Sequence, residues 1–83
     1  MESLLYSIEA EESVLGSVFF NNNEMNVIAD KLLVEDFYSP TNQIVYKAML
    51  TLFQNNNAID IITVITYLEN TNNLERVGGR DFI

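Results

Sequence analysis

The stretch from Ser39 to Phe53, SPTNQIVYKAMLTLF, constrains the fold more than any other in this 83-residue chain. A serine hydroxyl can accept a hydrogen bond from one of the free amides in a helix's opening turn. Proline fits the first helical position, because its missing N–H would have had no partner there. Ile44, Val45, Ala48, Met49, Leu52 and Phe53 then recur at helical spacing as a wide apolar stripe. The pattern predicts a helix from Pro40 to Asn55, one face of which must be covered by other elements.

Three further segments supply the cover. Ser7 can cap a helix over roughly Ile8 to Phe20, with Glu9, Glu11 and Glu12 at the positive end of its dipole and Ile8, Leu15, Val18 and Phe19 on one face. Gly16 costs that helix about 1 kcal/mol relative to alanine, so its use is to let another helix backbone approach closely. Met25, Ile28, Ala29 and Leu32 mark a short amphipathic helix after three asparagines.

The stretch IDIITVITYLEN sets propensity against pattern, since its β-branched residues favour strand. Asp60 is a good cap, Ile59 can staple onto Val64, and Ile61, Val64, Ile65 and Leu68 keep the helical period, so helix is the reading. Beyond it, LERV can make one more turn, and Gly78-Gly79 permits the redirection that RDFI needs before a further helix. The expected fold is all-α, a small bundle of four to five helices. A single terminal turn does not stand alone, so Phe82 and Ile83 are expected to begin an apolar face that continues past the chain.

Composition narrows the chemistry. The chain has neither cysteine nor histidine, which removes disulfides, thiolate nucleophiles and the usual neutral-pH acid/base group. Glu11/Glu12 and Glu35/Asp36 are sequence neighbours, pointing about 100° apart on a helix, and do not form an acid/base dyad. Gly78-Gly79 is not followed by the Lys-Ser/Thr of a phosphate loop. Net charge is −8, and residues 1–36 hold eight acids against Lys31 alone. Such a surface repels phosphate backbones, so direct DNA binding is not expected. No apolar run spans a bilayer and no secretion signal leads the chain, which makes a cytoplasmic, membrane-free protein the expectation.

Surface for protein contacts remains. Of Phe37 and Tyr38, beside the Ser-Pro turn, one is expected to anchor the loop and the other to be partly exposed. The candidate interface residues are Tyr38 and Asn42 at that turn, Tyr67 on the fourth helix, Phe82 at the end, and Glu9, Glu11 and Glu12 as an acidic patch.

The strings SIEAEESVLGSVFF, VEDFYSP, IVYKAMLTL, AIDIITV and LERVGG, in that order, resemble the N-terminal domain of DnaB-type replicative DNA helicases of bacteria and phages. The resemblance runs from about Ser7 to Ile83. It implies that residues 1–83 are the helical head of a hexameric helicase, ending before a helical hairpin. The RecA-like motor that uses ATP and Mg2+ to unwind DNA would lie outside this chain. It further implies self-assembly into a dimer- or hexamer-based collar and docking of primase and, in some systems, a helicase loader. No catalytic, cofactor-binding or metal residue falls in the segment, although the parent would be an enzyme. One departure stands out: the family usually places histidine after the DFY turn, where this chain has Asn42, which cannot become charged. The alternative reading is a free-standing small acidic regulator that captures a replication protein.

Overall fold

The computed structural model describes residues 7–73. Four helices follow in order, α1 (Ile8–Phe20), α2 (Met25–Lys31), α3 (Pro40–Gln54) and α4 (Ile61–Asn70), with 3-10 turns at Asn22–Glu24 and Val34–Asp36 flanking α2. No strand occurs among the described residues. The turn expected at LERV, the Gly78-Gly79 redirection and Phe82 lie outside them.

Three of the four helices begin at a capping side chain, whereas α2 runs on directly from the 3-10 turn at Asn22–Glu24. The Ser7 hydroxyl accepts from the Ala10 amide at 3.0 Å, and that of Ser39 from the Asn42 amide at 3.3 Å with Pro40 next in line. At α4 the Asp60 carboxylate accepts from the Thr63 amide at 2.8 Å while the Thr63 hydroxyl accepts from the Asp60 amide at 2.9 Å. That reciprocal pair satisfies two otherwise free donors and settles the β-branched segment as helix. Ile59 and Val64, on either side of the cap, are both buried in the core.

Helix ends use asparagine where glycine is common. Asn56 and Asn72 take the left-handed conformation, with φ of 59° and 61°. Their amides bond the carbonyls of Phe53 and Glu69, and the next amides, of Asn57 and Asn73, reach back to Leu52 and Leu68. This closes both α3 and α4 with the doubled hydrogen bond of a Schellman ending. Asparagine tolerates that conformation better than most residues with a β-carbon.

The core sits around α3, which packs against α1, α2 and α4. Its Val45, Tyr46, Ala48 and Met49 are buried, meeting Leu15 and Val18 of α1, Met25 of α2 and Val64 and Leu68 of α4 in one cluster. Phe37 and Tyr46 stack with centroids 4.7 Å apart and planes tilted by 33°, a geometry worth roughly 0.5–1.5 kcal/mol beyond area burial. The Tyr46 hydroxyl donates to the Leu32 carbonyl at 2.8 Å, tying the end of α2 to α3. Burial, and secondarily the negative charge of Asp36, pushes its pKa up to about 12.

Asn22 makes the other long-range tie. Its side-chain oxygen accepts from the Ile59 amide at 2.7 Å and its nitrogen donates to the Ile59 carbonyl at 2.7 Å, so one side chain pairs both backbone groups of a residue 37 positions away. The extended entry to α4 is thereby held against the end of α1. The close helix approach expected at Gly16 is not made by any described element: a β-carbon placed there would meet nothing within 4 Å. Leu15 and Val18 carry the core contacts of α1, leaving Gly16 on its open side.

Asn22→Ala should lower stability in urea unfolding by about 2 kcal/mol, because both Ile59 backbone groups lose their partner in a part-buried place. An alkaline effect follows from Tyr46: its unfolded phenol titrates near pH ~10 and its folded one near 12. The contribution is therefore whole below pH ~10 and disappears as pH rises through the folded value. Tyr46→Phe should remove this alkaline dependence while costing about 1 kcal/mol at neutral pH.

Candidate interaction surface

Two of the residues singled out in the sequence, Glu11 and Asn42, meet inside the molecule. Glu11 lies in the first turns of α1 and is 1% exposed, and Asn42 in the first turn of α3 is 7% exposed. One carboxylate oxygen of Glu11 accepts from the Tyr38 amide at 2.7 Å, and the other from the Ser39 amide at 3.2 Å and the Asn42 side chain at 2.9 Å. The reading of Glu11 as part of a surface acidic patch is corrected. Among the described residues the carboxylate is the buried joint between α1 and the start of α3, where free amides and the helix dipole favour negative charge.

Burial works to raise the Glu11 pKa, but the bonds from Asn42, Tyr38 and Ser39 outweigh it and hold the carboxyl below the usual 4.5. The position where the resemblance leads one to expect histidine thus faces a buried carboxylate. Asparagine donates the same hydrogen bond without a proton to lose. No buried side-chain nitrogen or oxygen among the described residues lacks a partner.

The joint fixes a turn that splits its two aromatics. Phe37 is fully buried and its carbonyl accepts from the Gln43 side chain at 2.6 Å, whereas Tyr38 is 85% exposed. Tyr67 is half-buried, its hydroxyl 3.5 Å from that of Thr51, between α4 and α3. Glu9 and Glu12 are exposed. Phe82 lies outside the described residues. The candidates are therefore not one site: Glu11, Asn42 and Tyr38 come together, while Tyr67 stands apart from them on α4.

Sequence inspection missed what surrounds the joint. A groove of about 370 Å3 between α1 and α3 is lined by Glu12, Leu15, Gly16, Phe19, Thr41, Asn42 and Val45. Phe19 also lines a second depression, of about 270 Å3, with the cap residue Asp60 and with Ile61 and Ile62 of α4. Gly16 was read as a place of close helix approach, and Ile62 stood off the helical stripe of α4, but nothing local shows that Phe19 lies between them. Chemically the surface offers apolar contact and acidic rims. Among the described residues no group of three His, Cys, Asp or Glu side chains is placed to hold a metal ion. No helix there is long and apolar enough to cross a membrane.

Glu11→Gln should cost about 2 kcal/mol, since two backbone amides lose a charged acceptor. With the folded pKa below 4.5, the Glu11 contribution is present above the unfolded value and is lost as pH falls through the folded one. Acid titration followed by circular dichroism should show a shallower loss of stability in the variant than in the parent chain.

Comparison with known proteins gives a consistent relationship. The family model described as DnaB-like helicase N terminal domain matches residues 3–83. Replicative DNA helicase DnaC of Bacillus subtilis is 38% identical over 77 residues, covering 93% of this chain and 17% of that protein. Replicative DNA helicase DnaB of Geobacillus stearothermophilus is 35% identical over 77 residues, with the same 93% and 17% coverage. The crystal structure of the N-terminal domain of DnaB helicase from Mycobacterium tuberculosis matches with a TM-score of 0.87 at 33% identity, over 92% of this chain and 53% of that one. The chain thus spans less than a fifth of the length of these two relatives.

Proposed function

Since the chain belongs to the DnaB-like helicase N-terminal domain family, we propose that it is the assembly and docking head of a replicative DNA helicase. In this reading residues 1–83 contribute to the collar of a hexameric ring and present surface to primase and to a helicase loader. Unwinding and ATP hydrolysis belong to a motor elsewhere in the parent protein. The observation that carries the reading is the likeness to the Mycobacterium tuberculosis domain over 92% of the chain, in sequence as well as in fold.

The chemistry of the residues agrees with that division of labour. Gly78-Gly79 is followed by Arg80-Asp81, not by the Lys-Ser/Thr that cradles nucleotide phosphates. The reading therefore assigns nucleotide, Mg2+ and the catalytic step to the motor and none of them to this segment. The net charge of −8 favours contacts with proteins over contacts with DNA. In a ring, several copies of a weak surface act together on a multivalent partner, so individually modest contacts suffice.

The test is made on the parent polypeptide. Native mass spectrometry should give a hexamer, and deletion of residues 1–83 should weaken binding to the cognate primase by at least about tenfold, some 1.4 kcal/mol, while ATP hydrolysis persists. Unchanged ring formation and unchanged primase affinity after the deletion would overturn the proposal. A reading frame closing at Ile83, with binding to a replication protein by the free chain, would favour the regulator instead.

A further inference from the structure

Resting on the docking reading above, we infer that the strip running from Gly16 across Phe19 to Ile61 and Ile62 is the seat for a basic amphipathic helix of a partner protein. Three observations converge on it. Gly16 weakens α1 without any role inside the described fold, because a β-carbon there would sit in open space. The groove over Gly16 and the depression over Ile61 and Ile62 share Phe19, whose ring thus stands between α1 and the start of α4. Ile62 in the second depression is 76% exposed, more than any other apolar residue of α4.

A glycine in the floor of an apolar groove between two helices lets a third backbone come close, as an alanine or leucine would not. The occupant's charge is set by the ends of the strip. Glu12 lines the groove over Gly16 and Asp60 the depression over Ile61 and Ile62. Lys31 and Lys47 are the only basic side chains among the described residues, and neither lines either depression. A partner helix with an apolar face and Lys or Arg near both ends matches this arrangement. The same strip of a second copy does not, since it would set Glu12 and Asp60 against the same two acids.

The probe is a fluorescein-labelled synthetic helix of about 18 residues, roughly 27 Å long, with leucines on one face and lysines at both ends. Its twin carries glutamates in place of the lysines. By fluorescence anisotropy the lysine helix should bind the 83-residue chain and the glutamate twin at least about tenfold more weakly, and added salt should narrow the gap. Gly16→Leu fills the groove from a position with room for it and improves helix propensity, so the variant folds, as circular dichroism can verify. It should weaken the lysine helix at least about tenfold, Glu12→Lys should weaken it severalfold, and Val27→Ser, an exposed apolar position on α2, should leave it unchanged.

Unaltered binding in folded Gly16→Leu overturns the inference. So does a doubled mass for the free chain that Gly16→Leu returns to monomer, which makes the occupant a second copy. Tighter probe binding after removal of residues 74–83 also overturns it, because the strip is then covered by the chain itself. In the parent helicase, primase binding that depends on residues 1–83 but ignores Gly16→Leu would sink this inference and leave the docking reading intact. Loss of both dependences would sink the reading itself.

Discussion

The Glu11 carboxylate is the interaction on which the arrangement of the helices depends. It accepts three hydrogen bonds at the start of α3 from a position in the first turns of α1, more than 25 residues earlier in the chain. A buried carboxylate is tolerable only when its lone pairs are occupied. Here two backbone amides and the Asn42 side chain occupy them. Because α3 is also the helix against which the other three pack, fixing its start relative to α1 fixes the centre of the core. The same joint turns Phe37 inward and Tyr38 outward, so a stability feature also decides which aromatic ring faces solvent.

Asparagine carries the rest of the polar framework, in three distinct uses. Asn42 completes the shell of Glu11. Asn22 pairs both backbone groups of Ile59 and closes the gap between α1 and the entry to α4. Asn56 and Asn72 end helices in the left-handed conformation. In a chain with few glycines, asparagine is a residue with a β-carbon that enters this region readily and also bonds locally. The abundance of asparagine in the loops therefore reflects helix termination and loop docking as much as solvation.

Most of the polar framework is thus turned inward or spent on helix ends. Polar groups that could otherwise act in chemistry are held in joints and caps. What faces outward along α1 and α4 is a glycine, exposed apolar side chains and acids. This pattern suits recognition by shape and charge, in keeping with the family to which the chain belongs and with the role proposed for it as a head domain.

The sequence by itself determined the helices. Ser39-Pro40 and the stripe from Ile44 to Phe53 marked α3 to within one residue of its observed end, and Asp60 with Thr63 overrode strand propensity in α4, because caps and helical periods act over three or four residues. The motif string likewise carried the family, since order and spacing are sequence properties. Only the tertiary structure decided that Glu11 is a buried joint and not a surface acid, that Asn42 serves it, and that Gly16 opens onto a groove between α1 and α3. Each of those facts joins positions far apart in the chain. A glutamate in a helix's first turn reads locally as dipole compensation, and it becomes a tie only when the fold brings amides from another helix within 3.2 Å of its oxygens.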